Sequence, residues 1–319
     1  MSKADELFVA MCQDIIDNGY STEGEKVRPV WTDTGESAYT IKRFGVVNRY
    51  NLAEEFPAIT LRRTAIKSCT NEMLWIWQKK SNNINDLKST VWDEWADESG
   101  SIGSAYGYQI AKKYAHHVLK TAEQVAGEFP VVDGREDLSD YPSAEIKDID
   151  GKTYVMLDQI DGVRYDLKHT PFSRRIIANM YNLEELHDMH LYPCAYSMTF
   201  NVTSKPGSDK LVLNGLLNQR SQDILAANNW NVCQYAVLIH MLARDCDMEV
   251  GELVHVISDA HIYDRHIPIV KELITREQFA APKFWLNPEK HNFYDFTEDD
   301  IRLDDYQTGP QVKNIPIAV

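Results

Sequence analysis

From Cys194 to Val202 the residues Cys194, Tyr196, Met198, Phe200 and Val202 alternate with Ala195, Ser197, Thr199 and Asn201. A period of two marks an extended strand with one apolar face, which Cys194 shares. Leu211 and Leu213 in Lys210-Leu211-Val212-Leu213-Asn214-Gly215 indicate the next strand. A helix over about 222–245 then carries Leu225, Val232, Tyr235, Leu238, Ile239 and Leu242, residues 251–262 alternate again, and a last helix covers about 267–276. Nearer the start, Phe8, Met11, Cys12, Ile15 and Ile16 keep helical spacing up to the stop signal Asn18-Gly19. Residues 27–63 break into short strand and loop runs. Ile66, Cys69, Met73, Leu74 and Trp77 hold a helical period over 64–81, which places Glu72 on a mostly apolar helix. A carboxylate there needs a reason.

Residues 112–156 differ in character. Gly127-Glu128-Phe129-Pro130, Gly134-Arg135-Glu136-Asp137 and Lys147-Asp148-Ile149-Asp150-Gly151 are polar, turn-rich and acidic, and read as an inserted small subdomain in one domain spanning 1–319. The chain balances 33 Lys and Arg against 48 Asp and Glu, a net charge of −15. Such an acidic excess argues against nucleic acid or an anionic membrane as partner, so an anionic ligand would need local arginines. Five widely spaced cysteines with no C-x-x-C pair point to a reduced, intracellular chain without structural zinc. No window reaches the roughly 20 apolar residues of a membrane span, and the first residues lack an apolar signal core. The expected location is the cytoplasm.

Several constellations can carry chemistry, each beside a plainer reading. Cys194 follows Tyr192-Pro193; it is a nucleophile if a cation or base lowers its pKa, or else a small buried strand residue. Ser173-Arg174-Arg175, Gln219-Arg220-Ser221 and Arg28 suit phosphate oxygens through paired donors, or ion pairs with the many carboxylates. If Arg174 and Arg175 enter a sheet, alternation sends them to opposite faces. Asp259, His261 and Tyr263 share one side of an extended segment. With His266 they match no strong zinc spacing, and donors to ligand hydroxyls explain them better. Asn231 lies in a helix, where its amide can read a heterocyclic base edge or simply face solvent. Trp92-Asp93-Glu94-Trp95 with Gly100, Gly103, Tyr106 and Gly107 offers flat rings for stacking, although core packing is the usual fate of tryptophan.

In their order these segments resemble the thymidylate synthases. The match rests on Asn71-Glu72-Met73-Leu74-Trp75, Trp92-Asp93-Glu94-Trp95, Ser173-Arg174-Arg175, Tyr192-Pro193-Cys194, Gln219-Arg220-Ser221-Gln222-Asp223, Trp230-Asn231, Asp259-Ala260-His261-Ile262-Tyr263 and Ile317-Ala318-Val319. The resemblance implies an α/β fold with a large mixed sheet flanked by helices, and a homodimer packed sheet to sheet. It implies a methyltransferase that converts dUMP to dTMP with 5,10-methylenetetrahydrofolate as co-substrate and no metal. Cys194 would add to C6 of uracil, because C5 is a poor nucleophile until a thiolate turns the ring into an enolate.

By the same resemblance Arg220 would assist the thiolate, and Glu72 and Tyr106 would serve proton transfers. Arg28, Arg220 and Ser221 would hold the phosphate, joined by Arg174 and Arg175 from the other subunit. Gln219, Asp223 and Asn231 would face the nucleotide, Asn231 reading N3 and O4, while His261 and Tyr263 hold the sugar 3′-hydroxyl. Arg62, Trp92, Trp95, Asp223 and Ala318 would contact the folate, with the apolar last residues closing over it. Three departures stand out: Ala195 where a histidine often follows the nucleophile, Ala226-Ala227-Asn228-Asn229-Trp230 for a Leu-Gly-x-Pro-Phe run, and Ser258 for glycine. The alternatives are a pyrimidine nucleotide 5-hydroxymethylase, which shares the thiol addition but lets water take the intermediate, and a non-catalytic nucleotide-binding protein. Trp92 and the apolar last residues favour methylation.

Overall fold

The computed structural model describes residues 2–319. It opens with α1 (Lys3–Asn18), whose first turn is capped by the Ser2 side chain accepting from the Asp5 N–H. Then come β1 (Tyr20–Ser21), β2 (Thr40–Asn51), α2 (Ile66–Trp77) and the short α3 (Gly107–Ala111). The next stretch holds β3 (Tyr114–Val118), α4 (Ala122–Val125), β4 (Val131–Val132), β5 (Arg135–Glu136), β6 (Glu145–Ile149) and β7 (Lys152–Leu157). The second half runs α5 (Gln159–His169), β8 (Ile177–Asn179), β9 (Ala195–Ser204), β10 (Leu211–Gln219), β11 (Gln222–Asp223), α6 (Asn228–Asp245), β12 (Glu249–Tyr263), α7 (Ile267–Leu273), β13 (Lys283–Leu286) and β14 (Ile301–Asp304).

The main sheet has the order β1-β2-β12-β10-β9-β8, with β11 also on β12. β10 and β12 run parallel because α6 crosses over between them, while β2, β9 and β8 pair antiparallel with their neighbours. This is the expected mixed α/β sheet flanked by helices. Leu213, Leu217, Leu253, His255 and Ile257 are fully buried on the face that α6 covers. Gly215 allows that approach, since a Cβ there would sit 2.6 Å from the Ile239 side chain. Arg49, Val254, Leu216, Thr199 and Ile177 align in register across five strands on the opposite face. Ile177 and Val47 remain about half exposed there.

Residues 114–157 form a separate three-stranded sheet, β3-β7-β6, beside the β4-β5 hairpin. Tyr141, Val155 and Leu157 pack there with Tyr165 of α5 in a small cluster of their own. No helix among the described residues is long and apolar enough to cross a membrane.

Five expectations need correction. The helix over 222–245 begins only at Asn228. Gln222 and Asp223 pair instead with Ala260 and His261, and the Asp223 carboxylate takes the Ala226 N–H, a local bond that competes with helix formation. The helices over 64–81 and 267–276 shorten to Ile66–Trp77 and Ile267–Leu273. Arg174 and Arg175 lie exposed in a turn before β8, where the Ser173 hydroxyl accepts the Arg175 N–H, so strand alternation does not place them. Cys194 sits one residue ahead of β9, not within it.

Candidate active site

A cavity of about 660 Å³ opens beside the ends of β10 and β12, walled by α2, the start of α6 and the last residues of the chain. Every residue to which the resemblance assigns a site role lines it except Arg174 and Arg175.

Cys194 is held from several sides. Its N–H donates to the Tyr106 hydroxyl at 3.0 Å, and its carbonyl accepts the Arg220 N–H at 2.9 Å. The Arg220 guanidinium donates to the Pro193 carbonyl at 3.0 Å and the Tyr192 carbonyl at 2.6 Å, which leaves Nη2 3.7 Å from the Cys194 Sγ. Burial pushes the thiol pKa up, and the opposing pull of Arg220 and Arg28 is smaller. The resting group is therefore a thiol whose ionised form is already provided with positive charge. Tyr106 sits at φ 46°, a left-handed conformation rare for an aromatic residue. Arg28, Arg62, Arg63 and Arg220 all face the cavity, and none has a carboxylate within 4.0 Å among the described residues. In an acidic chain, four such guanidiniums form a local anion-attracting surface.

A chain of amides also lines the cavity. His255 Nε2 meets Gln219 Oε1 at 2.8 Å, Gln219 Nε2 donates to Asn231 Oδ1 at 3.1 Å, and Asn231 Nδ2 donates to Gln234 Oε1 at 3.0 Å. Burial pulls the His255 pKa down to about 3, so the ring is neutral and Nε2 must be the protonated nitrogen that donates to the Gln219 oxygen. This sequence sets which end of the Asn231 amide is oxygen and which is nitrogen. Each end keeps one further hydrogen-bonding position.

Glu72 on α2 is 6% exposed. Burial raises its pKa, partly offset by bonds from Gln234, Trp230 and Trp92. A buried carboxyl displaced toward neutrality can take and return protons near pH 7. On the rim, Asp259 Oδ1 lies 2.9 Å from His261 Nδ1, and the His261 and Tyr263 rings meet edge to face at 5.2 Å. Trp92 packs edge to face against Tyr106 and Trp95.

The last residues are docked by backbone pairing. Val30 and Val319 exchange N–H bonds at 2.9 and 3.0 Å, and the Thr32 N–H reaches the Ile317 carbonyl. His266 Nε2 bonds the Pro316 carbonyl at 2.9 Å, while Nδ1 lies 3.7 Å from Asp223 Oδ1, within ion-pair reach but long for a hydrogen bond. Burial alone would lower the His266 pKa, but Asp223 and the Pro316 carbonyl outweigh it and raise it. Asp223 is correspondingly lowered: burial is the largest single influence and acts upward, and His266, His261 and the Ala226 N–H together outweigh it. Among the described residues no three His, Cys, Asp or Glu side chains stand together as a metal ion would require.

The family model for thymidylate synthase matches residues 6–319. The chain belongs to the thymidylate synthase family. It is 37% identical to the thymidylate synthase of Bacillus licheniformis and 36% identical to thymidylate synthase 1 of Bacillus subtilis, in each case over 98% of both chains. Its fold matches the solved thermostable thymidylate synthase A from Bacillus subtilis with a TM-score of 0.80 and 36% identity over the whole of both chains.

Within this thymidylate synthase fold the departures have visible consequences. Trp230 of the Ala226–Trp230 run donates its indole N–H to Glu72. Asn229 of the same run bonds the Thr64 hydroxyl, the Ile59 N–H and the Pro57 carbonyl, fixing the loop ahead of α2. Sequence reasoning missed His255, Gln234 and the Trp230 contact. His255 carried a readable signal: it occupies the inward register of β12 between Leu253 and Ile257, where an imidazole must find a partner.

Proposed function

We propose that this chain catalyses reductive methylation of dUMP to dTMP, with Cys194 as the nucleophile at C6 of the uracil ring. The observation that carries it is the approach of Arg220 Nη2 to the Cys194 sulfur at 3.7 Å, inside a cavity that also holds an oriented amide and unpaired arginines. The co-substrate 5,10-methylenetetrahydrofolate supplies the one-carbon unit and the hydride. The wall formed by Trp92, Trp95, Asp223, Arg62 and Ala318 suits it: flat rings for a pterin, a carboxylate for its N–H donors and a cation for its anionic tail.

In this reading Arg28, Arg220 and Ser221 neutralise the phosphate, and Asn231, oriented through Gln219 and His255, pairs with the uracil edge. His261 and Tyr263 take the 3′-hydroxyl. Tyr106 and Glu72 move protons at C5 and around O4, and the docked last residues exclude water so that hydride transfer outruns hydrolysis. Arg174 and Arg175 do not line their own cavity, but they precede edge strand β8 beside the half-exposed apolar face of the sheet. That placement supports a sheet-to-sheet homodimer in which they enter the other subunit's site. We further read 112–156 as an inserted subdomain of one catalytic domain. Five unpaired cysteines accord with a reduced compartment such as the cytoplasm.

Enzyme given dUMP and methylenetetrahydrofolate should form dTMP and dihydrofolate in equal amounts. Formation of tetrahydrofolate with 5-hydroxymethyl-dUMP would instead identify a hydroxymethylase, and binding without turnover a silent nucleotide-binding protein.

A further inference from the structure

A second cavity, of about 300 Å³, lies at the far end of α6. His240, Ala243 and Arg244 line it from the helix, Met248 and Val250 from the entry to β12, and Phe284, Trp285 and Leu286 from β13. Two polar groups there are poorly satisfied. Arg244 has no carboxylate within 4.0 Å among the described residues, although the chain carries a net charge of −15. Its guanidinium makes only two long contacts, from Nη1 to the Asn287 and Pro288 carbonyls at 3.5 and 3.4 Å. His240 Nε2 is buried with no hydrogen-bond partner, its ring centroid 4.2 Å from that of Phe284. Burial and the Arg244 charge hold this imidazole neutral, with a pKa of about 3.

We propose that this cavity binds a small planar monocarboxylate, its acid group on the Arg244 guanidinium and its ring against Phe284, Trp285 and Leu286. One guanidinium matches one carboxylate through paired donors. A phosphate would bring more charge than a single arginine and apolar walls can satisfy. The volume is at the small end for ligand sites and about twice the 150 Å³ void known to admit benzene, which fits a single ring with its acid group. Arg302 covers one face of Trp285 at 3.7 Å but is neutralised by Asp304 at 2.9 Å, so the free positive charge in the pocket is that of Arg244.

The test uses the full chain locked in its complex with 5-fluoro-dUMP and methylenetetrahydrofolate, so that both the nucleotide side and the folate side of the catalytic cavity are filled, titrated with benzoate by calorimetry. Saturable one-site binding is expected, weakened at least tenfold by Arg244→Gln and at least tenfold when neutral benzyl alcohol replaces benzoate. The Michaelis constant for dUMP should be unchanged in Arg244→Gln, with circular dichroism confirming its fold. A second variant, Leu286→Ala, should also weaken benzoate by removing ring contact. Absence of saturable binding, equal affinity in Arg244→Gln, or equal affinity for benzyl alcohol would overturn the proposal.

Discussion

The Trp230 indole N–H donates to Glu72 Oε2 at 2.9 Å, tying the first turn of α6 to α2 across the floor of the catalytic cavity. The bond favours the ionised carboxyl, opposing the burial that raises its pKa. Trp230→Phe should therefore raise the Glu72 pKa further. The limb of the pH profile of kcat that reports Glu72 should move upward. An unmoved limb would mean that another group titrates there.

Cys194 rests as a thiol because burial outweighs the two guanidiniums. Its alkylation by iodoacetamide should rise about tenfold per pH unit and still be climbing at about pH 9. Arg220→Gln removes the nearer positive charge and should slow alkylation severalfold at any fixed pH below that. Equal rates in the two proteins would separate Arg220 from thiolate stabilisation.

Asn231 accepts from Gln219 and donates to Gln234, which fixes its two ends. Asn231→Asp should shift the ratio of kcat/KM for dUMP over dCMP toward dCMP by roughly 100-fold, about 3 kcal/mol of hydrogen-bond matching. His255→Leu should erode the same discrimination while leaving phosphate affinity nearly intact. Competition assays with the two nucleotides measure both.

Cys194, the arginines and Asn231 could be singled out because each is a residue type whose chemistry is conspicuous in its local context, in an order that resembles a family, and the structure brings all of them but Arg174 and Arg175 to one cavity. The links between them were not. The Trp230 bond to Glu72 spans 158 positions and the His255 bond to Gln219 spans 36, distances over which local pattern carries no information. The start of α6 was misjudged because Asp223 satisfies its neighbour's N–H and joins the sheet. Whether Arg174 and Arg175 enter a strand stayed open because a turn held by Ser173 has no apolar period to betray it. The sheet itself was easier: alternation in 194–202 and 251–262 survives in β9 and β12 almost intact.

His266 couples the last residues to Asp223. A raised histidine pKa stabilises the docked state fully below about pH 6.5, and that contribution is lost as pH rises through the raised value. The lowered Asp223 contributes above its ordinary pKa and loses that contribution only as pH falls through its depressed value. Docking should therefore weaken toward the alkaline side. Hydrogen exchange at the Thr32 and Val319 amides, corrected for intrinsic rate, should be faster at pH 9 than at pH 6, and His266→Phe should abolish that difference.

The account rests on a covalent bond between Cys194 and the pyrimidine ring. Incubation with 5-fluoro-dUMP and methylenetetrahydrofolate, followed by intact mass measurement and peptide mapping, should show one added nucleotide-folate unit per chain on the Cys194 peptide and none in Cys194→Ser. An unmodified mass, or an adduct mapped to any of the other four cysteines, would contradict it.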